Sequence, residues 1–241
     1  MSNITTDETR LQKDESSLYS ARFQRRSFLQ FAGAGAAGVA LLMAGCEKDT
    51  NQASLMADDA DGVDLGSGDV GILNYAYALE QLEAAFYLQV AATPYSGISD
   101  KEKSLLADIR DHEVAHREFF KNALGTAAIP GLEVDFSSID FGSRDSVLGT
   151  AKAFEDLGVS AYNGAGKLIK SADYLLLAGK IVSVEARHAA LIRDLIMNGS
   201  FADKTVIDMN GLDKSRMPLE VLGIAKTYVK TKINASNLPT S

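Results

Sequence analysis

The chain has 241 residues, 24 basic against 32 acidic side chains and a formal net charge of -8, and its 46% hydrophobic content is that of a globular protein. The acidic balance, with Lys and Arg gathered into no stripe, excludes a nucleic-acid partner. The single cysteine, Cys46, excludes a disulfide framework or a cysteine metal site within one chain, and no apolar run in the body of the chain is long enough to read as a spanning helix.

In chain order, the first 20 residues are polar and without apolar periodicity. Arg25-Arg26-Ser27-Phe28-Leu29-Gln30 then resembles a twin-arginine export signal, and an alanine- and glycine-rich apolar run follows over 31–44. Leu42-Met43-Ala44-Gly45-Cys46 resembles a lipobox, with Met43 where leucine is usual. Residues 1–45 are therefore expected to be a signal peptide. Cys46 is expected to carry a lipid anchor that holds the chain to a membrane of the bacterial envelope, on the periplasmic or cell-surface side. The twin-arginine route exports folded proteins, which suits a protein that takes up metal before export. Residues 46–67 are acidic and small and read as a flexible tether.

Four helices follow, over 68–199. The first runs from about Val70 to Val90, with the inner seam Leu73, Ala76, Glu80, Glu83 and Tyr87. The second starts behind the cap Ser99-Asp100 and stops at Gly125, with the seam Leu106, Ile109, Glu113, His116 and Phe120. Residues 125–145, with Pro130, Gly131 and Gly142, carry no helical pattern and read as a long crossover. The third helix runs from about Ser146 to Ile169 through Leu148, Ala151, Glu155 and Tyr162. The fourth runs from about Ser171 to Met197 through Ile181, Glu185, His188, Ile192 and Leu195. Residues 200–241 form a C-terminal extension with a short helix near 218–225, expected to pack on the outside or end of the bundle. The fold class is all-α, a four-helix bundle with one crossover between the second and third helices.

The four helices are two copies of one pair. Glu80 and Tyr87 on the first correspond to Glu155 and Tyr162 on the third, while Glu113-x-x-His116 on the second corresponds to Glu185-x-x-His188 on the fourth. Residues i and i+3 share a helix face, so each Glu and His can reach one common point. A lone Glu-x-x-His is more often a solvated face, and a lone buried glutamate more often pairs with an arginine such as Arg110, Arg117 or Arg187. Repetition on four inner faces favours metal instead. Burying four carboxylates unpaired would cost several kcal/mol per charge, whereas two divalent cations neutralise them and leave the histidines neutral. The expected ligands are Glu80, Glu113, His116, Glu155, Glu185 and His188. Tyr87 and Tyr162 are expected to orient ligand carboxylates, and Glu83 is open to being either a further ligand or a support for the site. Carboxylate and imidazole suit iron or manganese, with zinc open. His112, one turn from His116, reads first as a surface or capping residue, with a place at the edge of the site as the alternative.

Ala78-Leu79-Glu80-x2-Glu83-x2-Phe86-Tyr87, His112-Glu113-x2-His116, Phe154-Glu155-x6-Tyr162 and Glu185-x2-His188 together resemble the bacterial ferritin-like domain family that includes the desiccation-related proteins. The resemblance implies a four-helix bundle with a di-iron or dimanganese centre, and little about substrate. Two functions follow as expectations. One is a ferroxidase-, peroxidase- or catalase-like oxidoreductase acting on Fe(II), dioxygen or peroxide. The other is a non-catalytic, stress-related envelope protein whose metals hold the bundle together. The chain is open to being a monomer or a homodimer.

Overall fold

A computed structural model describes residues 61–241. The export signal, Cys46 and the part of the tether before residue 61 lie outside the described residues. Four long helices carry the fold: α1 (Gly68–Ala92), α2 (Asp100–Leu124), α3 (Arg144–Gly166) and α4 (Ala172–Ile196). A short α5 (Pro218–Ala225) follows. Each bound lies within about one turn of its sequence expectation, and the caps show why. Ser99 Oγ accepts from Glu102 N at 3.2 Å, and Ser143 and Ser171 accept likewise from Ser146 N and Tyr174 N at 3.4 Å. Gly125 ends α2 at φ 55°, a backbone conformation that side-chain-bearing residues seldom adopt.

The helices pack as two pairs, α1 with α2 and α3 with α4, and the pairs meet through α1 and α3. Asp69, in the first turn of α1, accepts from the backbone N–H groups of Lys170 and Ser171 at 2.8 Å, which ties the start of α1 to the α3–α4 turn. Leu65, Ile109, Phe86, Leu148 and Ile192 form the most enclosed part of a continuous apolar core.

The first helix is more deeply buried than a single inner seam implies, because Gly71, Asn74, Tyr77 and Gln81 are buried as well. The crossover and the C-terminal extension cover its other sides. Asn74 donates to Leu65 O and Ala127 O and accepts from Ile129 N, while Gln81 Oε1 accepts from Leu132 N at 2.8 Å. These two amides satisfy crossover backbone that would otherwise be buried without partners. Phe136 and Phe141 of the crossover pack on Phe86, with ring centroids 6.0 and 5.9 Å away.

The C-terminal extension is laced into the body. Asp135 N donates to Tyr228 O, Lys230 N to Glu133 O, and Glu133 N to Thr231 Oγ1, each at 2.8 Å. Two short parallel strands, β1 (Val63–Asp64) and β2 (Ile233–Asn234), pair across almost the whole described chain. The described end of the expected tether is thus part of the fold: Val63 and Asp64 are in a strand and Leu65 is fully buried in the apolar core. Arg216, just before α5, lies so close to α3 that a Cβ on Gly164 would sit 1.7 Å from its carbonyl oxygen. Among the described residues no helix is long and apolar enough to cross a membrane.

Candidate metal centre

Each long helix delivers its glutamate to the middle of the bundle. Glu80 from α1, Glu113 from α2, Glu155 from α3 and Glu185 from α4 are all 0% exposed. The two histidines stand one turn beyond Glu113 and Glu185. His116 Nδ1 lies 2.9 Å from Glu185 Oε1, 3.5 Å from Glu80 Oε2 and 3.8 Å from Glu113 Oε2. His188 Nδ1 lies 2.8 Å from Glu113 Oε1, 3.5 Å from Glu155 Oε2 and 3.8 Å from Glu185 Oε2. Exchanging the two helix pairs carries one set of distances onto the other within 0.1 Å. The sequence repeat is therefore a spatial pseudo-twofold.

All six expected ligands come together. Their donor atoms fall into two overlapping groups, each within 4.8 Å: Glu80, Glu113, His116 and Glu185, then Glu113, Glu155, Glu185 and His188. Glu113 and Glu185 belong to both. Glu80 Oε2, both oxygens of Glu113 and of Glu185, Glu155 Oε2, and Nδ1 of both histidines are buried with no hydrogen-bond partner outside this cluster. Buried polar atoms ordinarily have partners, and here these atoms converge on the same two points. Such a donor set, oxygen-rich with one imidazole per group, could hold a metal ion.

The remaining oxygens of Glu80 and Glu155 are already engaged. Tyr87 donates to Glu155 Oε1 at 2.5 Å, and Tyr162 donates to Glu80 Oε1. Each tyrosine thus serves the glutamate of the opposite helix pair, two turns along from its own, and leaves one oxygen of that glutamate facing the centre.

The electrostatics show what such crowding does without a cation. Burial and the neighbouring Glu185 push the Glu80 carboxyl well above its ordinary range. Glu155 is pushed up to about 8, by burial first and then by Glu113 and Glu185 against the pull of His188. Burial also works upward on Glu113, but the two imidazoles outweigh it and hold it low, at about 2. Burial pulls His116 and His188 down, yet their glutamate neighbours overcome this and push both up to about 12. Without a cation, protons on the imidazoles would be what offsets the crowded carboxylates.

Glu83 is buried beside this cluster, and burial together with the four other carboxylates raises it well above its usual range. It is absent from both donor groups. Its repeat counterpart is Gly158, and the two face each other: a Cβ on Gly158 would lie 3.1 Å from Glu83 Oε1. The glycine makes room for the acid. The arginines weighed as partners are elsewhere. Arg110 pairs with Asp111 and Arg117 with Glu118, while Arg187 is exposed.

His112 takes the second of its two expected places, at the edge of the site and still on the surface. It is exposed, but its Nδ1 lies 2.9 Å from His188 Nε2, with the rings within 8° of parallel. The adjacent Glu113 points to the bundle axis, so His112 points about 100° away from it, toward α4. Only the helix pairing could have shown that.

A search among curated proteins finds no match to this chain. The family model for the ferritin-like domain matches residues 68–198, more than half of the sequence and all four long helices with their six converging side chains. The chain belongs to the ferritin-like domain family.

Proposed function

We propose that the chain is a di-metal carboxylate protein of the bacterial cell envelope, with iron or manganese bound by Glu80, Glu113, His116, Glu155, Glu185 and His188. One observation carries the reading. The buried donor atoms of these six residues form two groups that share Glu113 and Glu185, and these residues would hold two cations. Four carboxylates balance two divalent charges, and neutral imidazoles complete the set.

The bound pair would supply the redox chemistry, accepting electrons from Fe(II) and delivering them to dioxygen or peroxide. The chain's own part is to bind and to orient. Tyr87 and Tyr162 hold one oxygen of Glu155 and Glu80 so that the other faces inward. Ile109, Leu148, Phe120 and Ile192 along the same seams exclude water. The His116 side chain is 13% exposed against 5% for His188, which makes its end of the centre the more open to a small reactant. Anaerobic Fe(II) loading followed by air or peroxide tests the redox reading. Absorbance change with consumption of oxidant supports it, and loading without either outcome rejects it.

Burial of all four glutamates supports a second, non-catalytic reading, a stress-related protein in which the metals hold the helices together. Placement in the envelope rests on the Arg25-Arg26 signal and the Leu42–Cys46 lipobox. Metabolic labelling with a radioactive fatty acid should mark the wild-type chain and not the Cys46→Ser variant. Equal labelling of both would remove the anchor from the account.

A further inference from the structure

Resting on the two-metal reading, we infer that His112 is a positioning residue for His188, and that it makes the two metal positions unequal, the one beside His188 binding its ion more tightly.

His188 directs Nδ1 at Glu113, Glu155 and Glu185. For that nitrogen to offer its lone pair, the imidazole proton must sit on Nε2. Nε2 is the atom 2.9 Å from His112 Nδ1, so His188 donates and His112 accepts. The near-parallel rings, with centroids 5.1 Å apart, fix the plane of His188 as well as its tautomer. A partner of this kind on a ligating histidine raises ligand basicity and holds the ring in place.

The other half of the centre has no such device. Among the described residues nothing hydrogen-bonds His116 Nε2, and its side chain is the more exposed of the two. The repeat explains why: the residue before Glu113 is His112, whereas the residue before Glu185 is Val184, which has no acceptor in its side chain. The pseudo-twofold preserved in the six ligands is therefore broken in what supports them. The His188 group is buried at every member, and the His116 group is not.

The test is an anaerobic Co(II) titration of the full chain, followed by visible absorption and calorimetry, in wild type, His112→Phe and His112→Asn. Phenylalanine keeps a ring and removes the acceptor, while asparagine places an amide oxygen near the position of Nδ1. Wild type should take up Co(II) in two unequal steps. His112→Phe should weaken the tighter step by about 10–100-fold and alter the spectrum of the first ion bound, leaving the weaker step in place, and His112→Asn should restore most of the affinity. Two equal steps in wild type, or identical behaviour of the Phe and Asn variants, would overturn the inference while leaving the two-metal reading intact. Failure of wild type to bind a second ion would instead overturn the two-metal reading itself.

Discussion

Tyr87 on α1 donates its phenolic proton to Glu155 on α3, and by the same pseudo-symmetry Tyr162 on α3 donates to Glu80 on α1. Both phenols are buried, and burial with the facing glutamate raises them well above the ordinary tyrosine range, so they remain donors at any physiological pH. The two bonds cross the interface between the helix pairs and so join ligand orientation to bundle assembly.

Tyr87→Phe and Tyr162→Phe should therefore each strand one carboxylate oxygen. Loss of such a buried bond is expected to destabilise by about 1–3 kcal/mol and to weaken metal binding by about 10–100-fold. The effects should fall on different ions, Tyr87→Phe on the group containing Glu155 and Tyr162→Phe on the group containing Glu80. Chemical denaturation with and without metal checks this. Two silent substitutions would show that the carboxylates need no such anchoring.

Glu80→Gln separates metal binding from packing. In the metal-free centre burial and Glu185 push the Glu80 carboxyl up, toward its neutral form, so the neutral amide is a close replacement and Oε1 can still accept from Tyr162. The metal-free variant should melt within a few degrees of wild type, a shift of ~1 kcal/mol or less, yet gain less stability from metal than wild type does, since only the donor group around His188 remains whole. A variant unfolded without metal, or one stabilised by metal as wild type is, would contradict this.

Stability of the metal-free protein should fall as pH rises from about 5 to 9. His116 and His188 are pushed up to about 12 and Glu155 up to about 8, so the folded state holds protons that the unfolded chain has released. Their stabilisation is present below the unfolded values and is lost as pH rises toward the folded ones. Glu113, held at about 2, has the opposite sign, but its window lies below the ordinary carboxylate range. Metal must displace the imidazole protons, so its apparent affinity should rise with pH and binding should release protons. Calorimetry in buffers of differing ionisation enthalpy measures that release. Binding heats independent of the buffer would contradict it.

Gly158 and Glu83 should be coupled. A helical glycine replaced by alanine ordinarily stabilises by about 0.5–1 kcal/mol, but here the new Cβ would crowd Glu83 Oε1 at 3.1 Å. Gly158→Ala is expected to destabilise wild type and to stabilise the Glu83→Ala background. Denaturation of the four members of this cycle decides the matter, and a stabilising effect in both backgrounds would refute the contact.

The bundle and the geometry of its centre were legible because both follow from helical periodicity. Glu113 and His116 share a face by local geometry, and Glu80 and Glu155 interrupt apolar seams at matching positions. Contacts between distant segments were not legible. The tyrosines stood out by spacing from their own glutamates, although their partners lie across the bundle. Asn74 and Gln81 look like surface residues until the crossover is laid over α1. Val63 and Ile233 give no signal of pairing, since two-residue strands have no periodicity to read. His112 sits off the inner seam, and only the position of α4 reveals its partner.

Metal stoichiometry of the full chain, purified after native export and measured by elemental analysis against amino-acid quantitation, tests the central claim most directly. The account predicts about two iron or manganese ions per chain, falling to none when Glu113 and Glu185 are both replaced by glutamine. A chain that carries no metal, or one ion that survives that double substitution, would contradict it.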